Sequence, residues 1–182
     1  MYIELHAASA FSFLRGASLP ETLVERAAAL GYPALTLLDA DGVYGAPRFH
    51  KAAAQAGLRA IIGAELTLSG QLAAGSRQSA AIDRQLPAAS CQLPVLVESA
   101  AGYRNLCRLV TRMKLRAPKG EGALTLQDLE GHTTGLVALA GRAMLDARRF
   151  GVGGLLDCLV GLFGRRNVCV ELQRHLLRED EA

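Results

Sequence analysis

The chain has 182 residues and a formal net charge of +3, and it is 51% hydrophobic and 20% charged. These values exclude wholesale disorder and leave enough apolar mass for one packed domain, so folding requires no disulfide or metal staple. No apolar run reaches the roughly eighteen residues of a transmembrane helix, and the first residues, with Glu4 and His6, lack the basic-then-apolar order of a secretory signal.

Alternation from Tyr2 to His6 predicts a short first strand. A loop follows from Ala7 to Gly16, carrying Phe11, Phe13, Leu14 and Arg15. Phe11, Phe13 and Tyr44 are expected to pack into the core rather than to stack on a base. Ser18, Pro20 and Glu21 have the spacing of a capping box with proline in the first turn, which predicts a helix. Leu23, Val24, Ala27, Ala28 and Leu30 would form its apolar face, and Gly31 would end it. Ala34 to Leu38 predicts a buried strand ending at Asp39. Beyond the turn at Asp41-Gly42, a helix is expected from Ala46 to Ala56, then a strand from Ile61 to Leu68. This β, α, β, α, β rhythm predicts parallel strands covered by helices.

Residues 69–92 break the rhythm. They are rich in Ala, Ser, Gln and Gly and predict an exposed polar insertion. A strand from Leu93 to Val97, a helix from Ala100 to Arg116 and a helical turn from Thr125 to Leu129 are expected next. A strand from Gly135 to Ala140, helices over Arg142 to Arg149 and Leu155 to Phe163, and a strand from Asn167 to Leu172 complete the series. The count is six strands, with no internal repeat. Cys91, Cys107, Cys158 and Cys169 show no C-x-x-C spacing, as expected of reduced, mostly buried thiols in a cytoplasmic protein. The mild net charge does not mark a nucleic-acid binder.

In parallel α/β proteins, ligands bind beyond the carboxyl ends of the strands. The polar residues there are His6, Asp39 and Glu65, then Gln92 before the fourth strand, then Glu171 and His175 after the last. His and carboxylates from neighbouring strand ends can converge on one metal, but the residues alone favour reading each as a solvated or capping group. On the helix from Ala100, Arg104, Arg108 and Arg112 recur every four residues, with Lys114 and Arg116 nearby and Leu106, Leu109, Val110 and Met113 opposite. Guanidinium forks in such a stripe suit a phosphate or partner contact. A solvated face is the other reading, since no aromatic residue interleaves. His50 reads as a surface histidine, and His132 is given no role.

The stretch Glu4-Leu5-His6-Ala7-Ala8-Ser9-Ala10-Phe11-Ser12-Phe13-Leu14-Arg15-Gly16-Ala17-Ser18 resembles the opening of the PHP (polymerase and histidinol phosphatase) domain. More narrowly, it resembles the N-terminus of bacterial C-family DNA polymerases, the DNA polymerase III alpha subunit family, with wording closest to the error-prone branch. Leu38-Asp39-Ala40-Asp41-Gly42-Val43-Tyr44-Gly45, Ile61-Ile62-Gly63-Ala64-Glu65, Gly102-Tyr103-Arg104-Asn105-Leu106 and Val170-Glu171-Leu172-Gln173-Arg174-His175 are similar to further blocks of that family, in the same order.

The resemblance implies an α/β fold, a distorted (β/α)7 barrel with a metal cluster at its carboxyl-end mouth. In active members, His and carboxylate ligands hold metals that activate water against a phosphoester. Here His6, Asp39 and Glu65 remain as residual metal positions, but Ala8, Ala40, Gln92 and Arg142 replace family ligands. Alanine has no donor, Gln is a poor ligand and Arg repels a cation. The three are therefore expected to be insufficient and to hydrogen-bond to each other or to Arg142, with Asp41 a candidate replacement carboxylate.

The expected assignment is a PHP domain over residues 1–182 of an error-prone polymerase alpha-like subunit, serving DNA replication or repair synthesis. It would have no catalytic residue of its own and no resident cofactor, with zinc or manganese as the residual metal. Magnesium would belong to a palm domain elsewhere in the parent. The expected partner is the polymerase body, with DNA met only indirectly and no membrane. The alternatives are a stand-alone metal-dependent PHP phosphoesterase acting on a small phosphate ester or nucleotide, and an inactive decayed product. Six strands against the seven implied lead us to expect an unclosed barrel of marginal stability when isolated.

Overall fold

A computed structural model of the chain describes residues 2–69, 91–118, 121–141 and 151–172, with the backbone alone for 151–155. The predicted helix over Arg142 to Arg149, the residues Arg142 and His175, and most of the predicted insertion lie outside the described residues.

One sheet of six strands runs in chain order: β1 (Glu4–Ala7), β2 (Ala34–Ala40), β3 (Arg59–Leu68), β4 (Cys91–Val97), β5 (Leu136–Ala140) and β6 (Val168–Val170). Helices α1 (Pro20–Ala29), α2 (Ala46–Gln55), α3 (Ala100–Leu115), α4 (Leu126–Leu129) and α5 (Gly151–Phe163) accompany it, and a short 3-10 turn, Arg165–Asn167, leads into β6. The sheet curls into a half-barrel. A flat sheet of six strands would hold its edges about 24 Å apart at ordinary strand spacing. Yet the His6 ring on β1 lies 2.7 Å from the Glu171 carboxylate just past β6.

Strand direction departs from the uniform parallel arrangement expected. β1, β2 and β3 are parallel and β5 is parallel to β6, but β4 runs against both its neighbours. Leu68 pairs with Cys91 and Thr67 with Gln92. The chain between β3 and β4 thus leaves and re-enters at the same end of the sheet, and that connection needs no crossover helix. Cys91 and Gln92 therefore belong to β4 and not to the insertion.

Two apolar clusters cover the sheet. Val24 and Ala27 of α1, with Phe49 and Ala53 of α2, pack on Leu35 and Leu37 of β2. Leu106, Leu109 and Met113 of α3 and Leu159 and Phe163 of α5 pack on Leu66, Leu93, Val95 and Leu136. The apolar face expected of α3 is the buried one.

Three local expectations are corrected. Helix α1 begins after Leu19, with no side-chain cap. Glu21 instead forms a two-pronged pair with Arg48 of α2, at 2.6 and 3.0 Å. A capping box does occur, but at α4, between Thr125 and Asp128. Phe13 and Tyr44 are 83% and 60% exposed and do not plug the core. Arg15 and Gly16 both donate to the Ser12 carbonyl, and Leu14 has a φ of 63°, a tight turn that throws Phe13 and Leu14 outward. Of the four free cysteines, Cys91 is buried and Cys169 is exposed.

Candidate functional site

Register decides which strand-end residues can meet. Ala40 pairs with Glu65 and Asp39 with Ala64, so Asp39 and Glu65 lie on opposite faces of the sheet. Asp39 shares its face with Leu35 and Leu37, which look toward α1 and α2. On β1, Glu4 pairs with Leu35 and Ala7 with Leu37, with an irregularity between them. Three residues on β1 thus span two on β2. That extra residue reverses the alternation and turns His6 to the face that carries Glu65.

The result is a compact ionic group. His6 Nε2 lies 3.3 Å from Glu65 Oε1, and His6 Nδ1 lies 2.7 Å from Glu171 Oε1. Arg15 Nη2 lies 2.6 Å from the other Glu65 oxygen. Both ring nitrogens of His6 face carboxylates, which favours a proton on each. The His6 pKa is pushed up to about 9, by the hydrogen bond to Glu171 first and that to Glu65 next, against the opposing effect of burial. Burial pushes the Glu65 carboxyl up, but His6 and Arg15 outweigh it and hold it below the usual range. Glu65 is only 7% exposed, so this pairing operates where water screens weakly.

Asp39, 1% exposed, has a different task. Its Oδ1 accepts from the Ser9 backbone N–H at 2.8 Å and from the Ser12 hydroxyl at 2.8 Å, and the Ser9 hydroxyl lies 2.9 Å from both its oxygens. The Ser12 hydroxyl accepts in turn from the Ala40 N–H. These donors come from the loop after β1, so Asp39 is its anchor. Gly16 lets that loop close on itself, because a Cβ there would sit against the Ser9 carbonyl oxygen. Asp41 is no replacement carboxylate. Its two oxygens accept from the Thr67 N–H and hydroxyl, both at 2.8 Å.

The structure thus brings His6 and Glu65 together and leaves Asp39 apart. It adds Glu171, which sequence reading had placed among the strand-end polar groups, and Arg15, which had carried no role. The signal for Arg15 was indirect: a cation in a loop whose two serines need a buried acceptor.

The arginine stripe of α3 divides. Arg104 is exposed, and Arg108 reaches Asn105 Oδ1 at 3.5 Å. Arg112 donates to the Asp128 carbonyl at 3.3 Å and lies 3.3 Å from His132 Nε2, while Arg116 binds the Asp128 carboxylate at 2.6 Å. His132 therefore has a packing role that its sequence context did not suggest. Burial raises the Asp128 pKa, but the Thr125 N–H and Arg116 outweigh it and hold the carboxyl below its usual range. Arg108, Arg112, Arg116 and His132 line a shallow surface groove with Leu115.

A family model described as the PHP domain matches residues 4–175. An error-prone DNA polymerase of Mycolicibacterium paratuberculosis is 40% identical over 185 residues, covering 96% of this chain and 16% of that protein. One of Corynebacterium efficiens is 37% identical over 182 residues, covering 98% of this chain and 14% of that protein. One of Anaeromyxobacter sp. is 39% identical over 194 residues, covering 100% and 15%. The chain therefore spans no more than about a sixth of these polymerases. Among solved structures, a protein classed as a metal-dependent phosphoesterase from Bifidobacterium adolescentis matches with a TM-score of 0.53 at 16% identity, covering 87% of this chain and 73% of that one. An amidohydrolase from Chromobacterium violaceum matches with a TM-score of 0.53 at 18% identity, covering 92% and 75%. At those identities the likeness is one of fold.

Proposed function

The chain belongs to the PHP domain family, and from that premise we propose that residues 1–182 are the PHP domain of an error-prone DNA polymerase, serving as a structural platform for the polymerase body. The observation that supports this reading is the identity of 37–40% with error-prone polymerases along nearly the whole chain, against fold-level likeness to phosphoesterases. In this reading, nucleotide addition and its magnesium belong to parts of the polymerase outside this sequence. The protein works in the cytoplasm, in replication or repair synthesis, and meets DNA through the body. Asp39 holds the loop after β1, His6 and Glu65 knit the strand ends, and the exposed Arg104 and Arg108, beside Arg112, contact the body or a phosphate.

The test is a chimera in which this chain replaces the matching segment of the Mycolicibacterium paratuberculosis polymerase. Primer extension near the parental rate is expected. A soluble, folded chimera without synthesis would overturn the reading.

The second reading, a metal-dependent phosphoesterase acting on a small phosphate ester or nucleotide, is favoured by the fold of the solved neighbours and by His6 and Glu65 at the strand ends. Zinc and manganese are the ions to test. Phosphate release from p-nitrophenyl phosphate or a nucleotide with added manganese, lost in Glu65→Gln, would establish it.

A further inference from the structure

We infer that Arg15 supplies from the chain itself the positive charge that the Glu65 carboxylate at the strand ends would otherwise draw from metal ions. The donor chemistry fits a metal cluster poorly. Glu65 commits one oxygen to His6 and the other to Arg15, at 3.3 and 2.6 Å. His6 directs its two nitrogens at two different carboxylates, so the ring separates them and does not gather them around one point. Asp39 faces the helix layer and accepts from the Ser9 N–H and the Ser12 hydroxyl. Ala8 and Ala40 offer no donor. Among the described residues, no three His, Cys, Asp or Glu side chains are grouped to hold a metal ion.

The charges explain why an internal cation suffices. A carboxylate as buried as Glu65 is costly unless paired and hydrogen-bonded. The Arg15 guanidinium, which keeps its charge at any ordinary pH, lies 2.6 Å from the Glu65 carboxylate and supplies that partner. A divalent ion entering there would have to displace a guanidinium held at salt-bridge distance.

The delivery of Arg15 follows from the same residues. Asp39 binds Ser9 and Ser12, which fix the loop, and the tight turn that begins at Ser12 carries Arg15 to Glu65. A carboxylate at a family metal position thus anchors the segment that brings the substitute cation. This inference rests on the strand-end geometry and not on the polymerase reading. Metal content and primer extension fail separately.

The experiment compares the whole chain with Arg15→Gln and Arg15→Lys. Metal is assayed by mass spectrometry after purification, and melting is followed with EDTA and with manganese or zinc chloride. The wild type is expected to hold well under one metal per chain and to melt at the same temperature in all conditions. Arg15→Gln is expected to melt about 2–4 °C lower, and Arg15→Lys to recover part of that loss. Near-stoichiometric metal in the wild type, a fall in melting temperature with EDTA, or no effect of Arg15→Gln would overturn the inference. Should Arg15→Gln fail to fold, a folded Arg15→Lys and an EDTA-insensitive wild type support it, and an EDTA-sensitive wild type sinks it.

Discussion

His6 Nδ1 lies 2.7 Å from Glu171 Oε1, although 165 residues separate them in the chain. His6 belongs to the first strand of the sheet and Glu171 follows the last, so one side-chain pair spans the gap between the two edges. Both residues line a cleft of about 490 Å³, together with Ile3 and Leu5 from the first edge and Val170 and Leu172 from the last.

Glu171→Gln should loosen that junction. The Gln carbonyl can still accept from His6, so the loss is the charge assistance, at a cost of about 1 kcal/mol. The midpoint of urea denaturation should fall, and amide exchange should quicken in β6 before it does in β3. Equal acceleration in both strands would count against a clasp.

Asp39→Ala should be among the most damaging single changes. It leaves the Ser9 N–H and two hydroxyls buried beside a void, at a cost of about 3 kcal/mol or more. Asp39→Asn retains the shape and should cost less. Its effect should be read by limited trypsin digestion, because a freed loop offers the Arg15–Gly16 bond. Faster cleavage there, with other sites unchanged, is the expected result.

Acid stability should carry the signature of Asp128. Its folded pKa lies below the unfolded value, so its contribution is full above the unfolded pKa of about 3.9 and is lost as pH falls through the folded pKa. The stability gap between wild type and Asp128→Asn should therefore be constant near neutrality and should close below about pH 4. A gap unchanged down to the acid transition would contradict the pairing with Arg116.

The arginines of α3 should not be equivalent. Arg104→Ala should change unfolding free energy by less than about 0.5 kcal/mol, as exposed substitutions do. Arg116→Ala removes the 2.6 Å partner of a buried carboxylate and should cost more, with Arg112→Ala between them. Uniform small effects would mean that the whole stripe is solvated.

The elements were legible because their signals are local. The periodicity of Leu106, Leu109 and Met113 names the buried face of α3, and the run from Ala34 names β2. The reversed direction of β4 was not legible, since an apolar run reads alike in either direction and only its pairing with β3 fixes the sense. His6 and Glu65 could be proposed from their place at strand ends. That Asp39 faces away from them depends on the pairing of Ala40 with Glu65, and that His6 faces inward depends on an irregularity in β1. Arg15 was hidden for a simpler reason. One arginine in an irregular loop has no periodicity, and its meaning comes from a carboxylate two strands away. Phe13 misled because aromatic character alone does not reveal a turn with positive φ.

The strand order of the sheet equals the order of the strands in the chain. Each strand pairs along its length with the one synthesised just before it, and one isolated bridge, Leu68 to Leu124, reaches past β4. A sheet of this kind can grow from its first strand outward as the chain leaves the ribosome, without holding an edge open for a distant partner. The clasp between His6 and Glu171 reaches farther: it joins residues 165 apart in the chain, and it can form only when synthesis has reached the far edge.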